Sequence, residues 1–167
     1  MSYEINIIAI NQKEPIKLNF GSRILLQNEK EDDMVNRYAE IWPCFSDTAG
    51  ILYSLVMEMK EGYYSSFPIC DSDFEEELQE YFLPTCLQDE NRDNLTPFLV
   101  KEIYAQEFIK ILQYILDNAP QKRILFQTRY QGGDKEIIVG VIKWSQFLDM
   151  LNSKKVFFNV CYIVEED

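Results

Sequence analysis

The 167-residue sequence contains no histidine. This absence excludes serine or cysteine nucleophiles that rely on a histidine base. Serine–lysine and carboxylate mechanisms stay open, although no pattern in the chain indicates either one. The six glycines form neither a Gly-x-Gly-x-x-Gly motif nor a P-loop, so the common phosphate-binding loops are also missing. The sequence therefore predicts no catalytic residue and no cofactor.

Cysteines are few, and long apolar runs are missing. The four cysteines are spaced too widely for a Cys-x-x-Cys zinc or redox motif. No apolar stretch approaches the roughly 18 residues that a membrane-spanning helix needs. The first residues, Met1 to Glu4, lack the basic and apolar regions of a signal peptide. We therefore expect a cytoplasmic protein with reduced thiols and no membrane contact.

Basic residues are scarce, and the formal net charge is −12. The window from Asp71 to Asp93 contains nine acidic residues and one basic residue, Arg92. Such a surface repels nucleic acid phosphates and anionic lipids, which makes direct binding to DNA, RNA or membranes unfavourable. A basic protein partner is compatible with this charge.

The composition is that of a folded protein, with 47% hydrophobic and 26% charged residues. A chain of this length is most simply one domain, spanning 1–167, with a substantial core. Its first segments, 3–10 and 16–20, predict a β-hairpin with one solvent-facing side and a turn from Asn11 to Pro15. A short surface helix follows over 29–40 and ends before Pro43.

The segment 47–61 is ambiguous. Asp47 as N-cap, Gly62 after the last turn and apolar residues at helical spacing favour a helix. A buried strand from Ile51 to Met57 fits the same residues. Helix is the preferred interpretation, and strand is the alternative.

Two further helices are predicted. Residues 72–83 place apolar side chains along one stripe, and Pro84 ends that helix. Residues 97–117 begin with Thr96 as N-cap and Pro97 at the first helical position. Because the polar arc of this second helix is narrow, we expect it to be buried on most sides and central in the domain.

The C-terminal part alternates strands and helices. Strands are predicted over 123–130 and 136–143, joined by a hairpin turn at Gly132-Gly133. A short helix is capped by Ser145, and a last strand over 155–164 is apolar on both faces and therefore interior. The predicted fold class is α+β, with a mostly antiparallel sheet, helices packed on one side and a central buried helix near 97–117.

The acidic window is the candidate partner-binding site. Its charges have one sign, whereas an ordinary solvated face mixes signs, and aromatic residues flank it. Aromatic anchors inside a charged rim are typical of tight protein interfaces. The alternative interpretation is charge that serves solubility alone. The candidate residues are Asp71, Asp73, Glu76, Glu80, Asp89, Glu90 and Asp93, with Tyr63 and Tyr64 as anchors.

These traits together resemble the small acidic immunity proteins of bacterial polymorphic-toxin and contact-dependent inhibition systems. The resemblance covers size, charge, cytosolic character and the α+β layout, and it is closest from Ile124 to Val164. It implies a non-enzymatic inhibitor that binds a cognate toxin domain, often a nuclease, and occludes its basic active-site cleft.

Two other functions remain open at this stage. One is a small enzyme that uses carboxylates, such as Asp71 and Asp73, with a divalent cation. The glutamates Glu75 to Glu77 project in three directions on a helix, so they do not converge on one ion. The other is a structural or regulatory subunit of a larger assembly. The sequence indicates no oligomeric state.

Overall fold

The computed structural model describes residues 3–9, 11–29, 50–58, 64–66, 97–130, 137–158 and 160–167. The helices predicted over 29–40 and 72–83, and the turn at Gly132-Gly133, lie outside these ranges. The elements in chain order are β1 (Tyr3–Ala9), β2 (Ile24–Glu29), β3 (Ile51–Glu58), β4 (Tyr64–Ser66), α1 (Glu102–Asn118), β5 (Arg123–Tyr130), β6 (Ile137–Lys143), α2 (Trp144–Asn152) and β7 (Val160–Glu165). The α+β class is confirmed.

The described strands form one sheet in the order β2-β3-β1-β5-β7-β6, and β4 pairs with the far end of β3. The pairing of β6 with β7 is parallel, and the other pairings are antiparallel. This mixed sheet corrects the prediction of a mostly antiparallel one. The parallel pair arises because α2 connects β6 to β7, and a helical crossover brings the chain back in the same direction.

The predicted N-terminal hairpin is wrong. Strand β1 pairs with β3 and β5, and residues 16–20 form no strand. Ile16, Leu18 and Phe20 nevertheless alternate as predicted, because they pack half-buried against the core from an irregular segment. An alternating pattern reports which side chains are buried but does not specify the hydrogen-bond partner of the backbone. The prediction that one side of 3–10 faces solvent is also wrong, since residues 5–9 are all buried.

The segment 47–61 contains strand β3 instead of the preferred helix, so the alternative interpretation was correct. Strand β3 lies between β1 and β2, and its residues 51–53 are buried on both faces of the sheet. A strand covered on both faces reads as a continuous apolar run, which sequence periodicity cannot distinguish from a buried helix.

Helix α1 begins at Glu102, five residues after the predicted start. Pro97 instead forms a β-bridge with Phe157, and the Phe98 amide donates to the Val156 carbonyl at 2.7 Å. Only one face of α1 is buried, and Ile103 is 65% exposed. The prediction that this helix is buried on most sides is therefore wrong, and its central position in the domain stays a prediction. The buried residues of α1 are Phe108, Ile111, Leu112, Ile115 and Leu116.

The last strand is interior, as predicted, although it begins at Val160 and not at residue 155. It lies between β5 and β6, so those two strands do not form the predicted hairpin. Val156 and Phe158 are still buried, but they reach the core from the loop that precedes β7.

Both described helices contribute to one core on a single face of the sheet. Aromatic rings form its centre. The ring of Phe126 on β5 lies 5.1 Å from that of Phe147 on α2 and 6.0 Å from that of Phe108 on α1, measured between centroids. Phe98 packs against Phe126 at 5.7 Å. Phe126 thus contacts both helices and the segment that precedes α1.

Side-chain hydrogen bonds attach the irregular segment 11–23 to this core. The buried Tyr53 hydroxyl accepts from the Ile16 amide at 3.0 Å and donates to the Gln12 side chain. Glu107 on α1 accepts from the Arg23 amide at 2.9 Å and from its guanidinium at 2.7 Å. These contacts replace the strand pairing that the hairpin prediction required.

Tyr53→Phe is expected to lower the free energy of unfolding by about 1–3 kcal/mol. The Ile16 amide and the Gln12 carbonyl would lose their partner in a buried place. Urea denaturation of both proteins measures the difference. The matched control is Tyr114→Phe, which removes a more exposed bond to the Lys17 carbonyl and should cost less. Equal effects of the two changes would contradict the role assigned to Tyr53.

Glu107 should make stability depend on acid pH. The Arg23 amide, and then the Arg23 side chain, hold the pKa of this carboxyl below its ordinary value of 4.5. A lowered folded-state pKa stabilises the fold fully above that value, and the stabilisation is lost as pH falls through the lowered pKa. The stability advantage of the wild type over Glu107→Gln should therefore shrink below about pH 4.5. Unfolding titrations at several pH values measure it, with Glu102→Gln on the same helix as the charge-matched control.

Candidate functional site

The predicted partner-binding residues lie almost entirely outside the described residues. This holds for Asp71, Asp73, Glu76, Glu80, Asp89, Glu90, Asp93 and Tyr63. Tyr64 is the first residue of β4, where only the backbone is described. The acidic site therefore stays a prediction.

Charge is divided unequally along the chain. The described ranges contain as many lysines and arginines as aspartates and glutamates. The entire net charge of −12 consequently belongs to the rest of the sequence. Nine acidic residues and one basic residue lie between Asp71 and Asp93, so this window alone accounts for −8 of the net charge of −12.

Two apolar grooves of about 540 and 530 Å³ flank Ile109 on the helical layer. Val100 and Leu151 line the first, whereas Trp144 and Leu148 line the second. Both volumes fall within the range of small-molecule sites. The polar side chains that line them include charges of both signs, so neither groove has a strong charge preference.

The opposite face of the sheet, here called the back face, carries polar residues in register across four neighbouring strands. Ser54 on β3 is paired with Asn6 on β1, Asn6 with Gln127 on β5, and Gln127 with Cys161 on β7. Directly paired residues on adjacent strands point to the same side, with Cβ atoms about 5 Å apart. We call these four residues the polar row. Asn6, Gln127 and Cys161 are each 0% exposed.

An apolar row lies beside the polar row on the back face. It runs from Leu52 through Ile8 and Leu125 to Ile163, one residue from each of the same four strands. All four are buried, although Val141, the next residue along on β6, is 50% exposed. The back face thus combines a buried hydrogen-bonding strip with a buried apolar strip.

Hydrogen bonding within the polar row is incomplete. The Ser54 hydroxyl donates to the Asn6 side-chain oxygen at 3.1 Å. The Gln127 side chain, in contrast, has no hydrogen-bond partner on its nitrogen or its oxygen within the described part of the chain. A buried polar group left without a partner costs about 1–3 kcal/mol, so such groups call for a specific explanation.

Buried polar residues elsewhere in the core are bonded. Thr128 donates to the Phe157 carbonyl at 3.4 Å. Gln12 accepts from Tyr53 and donates to the Asn118 carbonyl at 3.4 Å. Among the buried polar side chains of the described residues, Gln127 is therefore the exception, and it marks the back face as the candidate site.

The chemistry of the polar row is neutral hydrogen bonding. Its side chains are a hydroxyl, two amides and a buried thiol. Among the described residues, no three histidine, cysteine, aspartate or glutamate side chains come close enough to hold a metal ion. The arrangement can align a ligand through donors and acceptors, but it supplies no carboxylate for proton transfer.

The titratable groups with shifted pKa values lie outside the polar row. Burial raises the pKa of Tyr53 in the helical core. Hydrogen bonds from Arg123, and then from Lys143, lower the pKa of Glu165, and the Ser145 amide and hydroxyl lower that of Asp167 at the start of α2. Ion pairing and helix capping explain these carboxyl shifts, which therefore indicate no catalytic pair.

Sequence analysis missed the polar row. Alternation within 123–130 puts Gln127 on the side opposite to Phe126, but no local pattern links it to Asn6, Ser54 or Cys161. A usable signal was nonetheless present, because Ile8, Leu125 and Ile163 share that side and are apolar. Apolar residues that alternate with polar ones on the side away from Phe126 indicate a second buried face.

No protein-family model, curated protein or solved structure matches the chain. Neither helix in the described ranges is long and apolar enough to cross a membrane. Function is therefore argued from the chain's own residues and charge.

Replacing Gln127 by Met should not destabilise the protein and should raise its free energy of unfolding by about 1–2 kcal/mol. Met has nearly the same shape, and the change removes two buried atoms that lack partners. Chemical denaturation measures the difference. Asn6→Leu is the contrasting variant, since it leaves the Ser54 hydroxyl without its acceptor and should destabilise. A clear loss of stability in Gln127→Met would contradict the described geometry.

Proposed function

We propose that the protein is a non-enzymatic binding protein whose acidic segments capture a basic protein partner. The observation that carries this proposal is the concentration of acid: nine acidic residues and one basic residue between Asp71 and Asp93 account for −8 of the net charge of −12. Charge that serves solubility alone normally mixes the two signs, as it does in the described ranges. Charge needed for a partner is expected to be concentrated in this way.

The physical basis is electrostatic steering followed by short-range contact. A concentrated field of one sign can raise association rates by about 10- to 1,000-fold at low salt. Affinity then depends on buried anchors at the interface. Tyr63 and Tyr64 next to the acidic window are the proposed anchors, and the carboxylates would occupy the positions that phosphates take on a nucleic-acid-binding surface.

The finer proposal is that this protein is a cytoplasmic immunity protein. Its partner would then be a toxin domain, in the simplest case a nuclease, whose basic cleft binds nucleic acid. Inhibition would occur by occlusion, because acidic groups in the cleft exclude the substrate phosphates. Such a role needs no catalytic residue in this chain.

The proposal is tested first by capture and inhibition. The full chain, immobilised and exposed to host lysate at low salt, should retain a basic protein in 1:1 ratio that elutes as salt rises. Added in equal amount, the free chain should abolish nuclease activity of that protein. A bound partner that keeps its full activity would contradict inhibition while leaving binding intact.

Charge-neutralising variants test the steering surface. Changing Asp71 and Asp73 to Asn, and Glu76 and Glu80 to Gln, should slow association with the captured protein by roughly tenfold at low salt and flatten the salt dependence. Stopped-flow or surface-binding kinetics measure both quantities.

The matched control removes four exposed acids from the described ranges instead: Glu14, Glu102, Asp149 and Glu166. Its net charge change is identical, and it should keep most of the wild-type rate and salt slope. If both quadruple variants slow association equally, overall charge and not the acidic window is responsible.

A further inference from the structure

The groove lined by Val100 and Leu151, here called the Val100 groove, has a volume of about 540 Å³. It is bounded by the segment that precedes α1, the first half of α1 and the end of α2. A cavity of only about 150 Å³ already accommodates a benzene ring. The groove therefore has room for at least one large apolar side chain of another molecule. Its apolar lining includes Phe98, Leu99, Val100, Phe108, Ile109 and Leu151.

The charges of the Val100 groove itself cancel. Glu102 on α1 and Lys154 after α2 contribute one charge of each sign, and Asn152 adds an uncharged amide. Burying an ion among apolar side chains is costly unless an opposite charge accompanies it. The groove itself therefore selects an apolar side chain, and the charge of the molecule that carries this side chain is selected by the surroundings of the groove.

The acidic window is joined to the Val100 groove by a short stretch of chain. Asp93 precedes Pro97 by four residues, and Glu90 precedes it by seven. An extended chain spans at most about 3.6 Å per residue, so the backbone of Asp93 lies within about 14 Å of Pro97 and that of Glu90 within about 25 Å. The Debye length is about 10 Å at 0.1 M salt and about 30 Å at 0.01 M. At low salt the groove thus lies within the field of these carboxylates.

We propose that the Val100 groove receives a large apolar side chain of the basic partner, on a segment where lysine or arginine flanks that side chain. This inference rests on the proposed capture of a basic protein and adds the surface on which the partner's apolar residue binds. A second copy of this chain is disfavoured as the occupant, because two molecules with a net charge of −12 repel each other. The acidic window speeds association, whereas apolar contact in the groove slows dissociation.

The groove lined by Trp144 and Leu148, here called the Trp144 groove, is less suited to the same segment. Its aromatic wall already contacts a cation of this chain, since the Lys110 ammonium lies 4.1 Å from the centre of the Phe20 ring. A basic segment would meet that ammonium group. With nearly the same volume, about 530 Å³, the Trp144 groove serves as the control surface.

The groove is tested with the full-length, ¹⁵N-labelled protein and the blocked peptide Lys-Lys-Leu-Phe-Lys-Lys. At low salt this peptide should shift the backbone amide signals of Ala105, Leu151 and Asn152 in a saturable manner. One control peptide has Gly-Gly in place of Leu-Phe and keeps the charge. Another has glutamate in place of every lysine and keeps the apolar pair. Each control should bind roughly tenfold more weakly or worse.

Two neighbouring substitutions on α1 separate the grooves. Ala105 lines the Val100 groove, and Ala105→Phe should fill it and weaken binding of the basic Leu-Phe peptide roughly tenfold or more. Gln106 lines the Trp144 groove, so Gln106→Phe should leave the affinity within about twofold. Thermal denaturation of both variants checks that each is folded.

Three peptide results would overturn the inference: no saturable shifts at the groove residues, equal binding of the Gly-Gly peptide, or equal binding of the acidic peptide. The second would mean that charge alone attracts the peptide, and the third that the groove does not favour a basic segment. Lysate capture judges the proposed function separately. A captured basic protein whose dissociation rate is unchanged by Ala105→Phe would contradict the groove and leave partner capture standing. Specific peptide binding without any captured protein would contradict partner capture and support the groove.

Discussion

The ring of Phe126 is the contact on which the rest of the fold depends. It lies on β5, one of the inner strands of the sheet, and touches Phe108 of α1, Phe147 of α2 and Phe98 of the incoming segment. Its direct neighbours on the flanking strands are Ile7 and Tyr162, which are completely buried as well. Aromatic pairs at these distances add packing energy beyond the area that they bury. Both helices are thereby held to the same face of the sheet.

Helices on one face do not account for burial on the other. Strand β7 lies between β5 and β6, and strand β3 lies between β1 and β2, so the inner strands carry buried residues on both faces. A sheet of this kind normally fills its second face with aliphatic side chains. Here the polar row crosses four strands at that place, and the Gln127 amide has no hydrogen-bond partner within the described residues.

The proposed partner capture and the polar row use separate parts of the chain. Partner capture depends on the acidic window from Asp71 to Asp93, whereas the polar row depends on side chains held by strand register. Charge on a surface acts over about one Debye length, roughly 10 Å at 0.1 M salt, and needs no rigid geometry. Hydrogen bonding to a buried amide, in contrast, requires fixed donor and acceptor positions.

Local sequence patterns determined the α+β class, the strands near 123–130 and 136–143, helix α2 and the interior character of the last strand. In these segments the periodicity and composition of a few neighbouring residues determine the secondary structure. Tertiary structure alone decided that 51–58 is a strand, that Pro97 bridges Phe157 before α1 begins, and that β7 separates β5 from β6. Those outcomes depend on which distant segment supplies hydrogen bonds and burial. The polar row shows the limit of prediction from local sequence patterns. Its four residues become neighbours only through the register of four strands; they are Asn6, Ser54, Gln127 and Cys161.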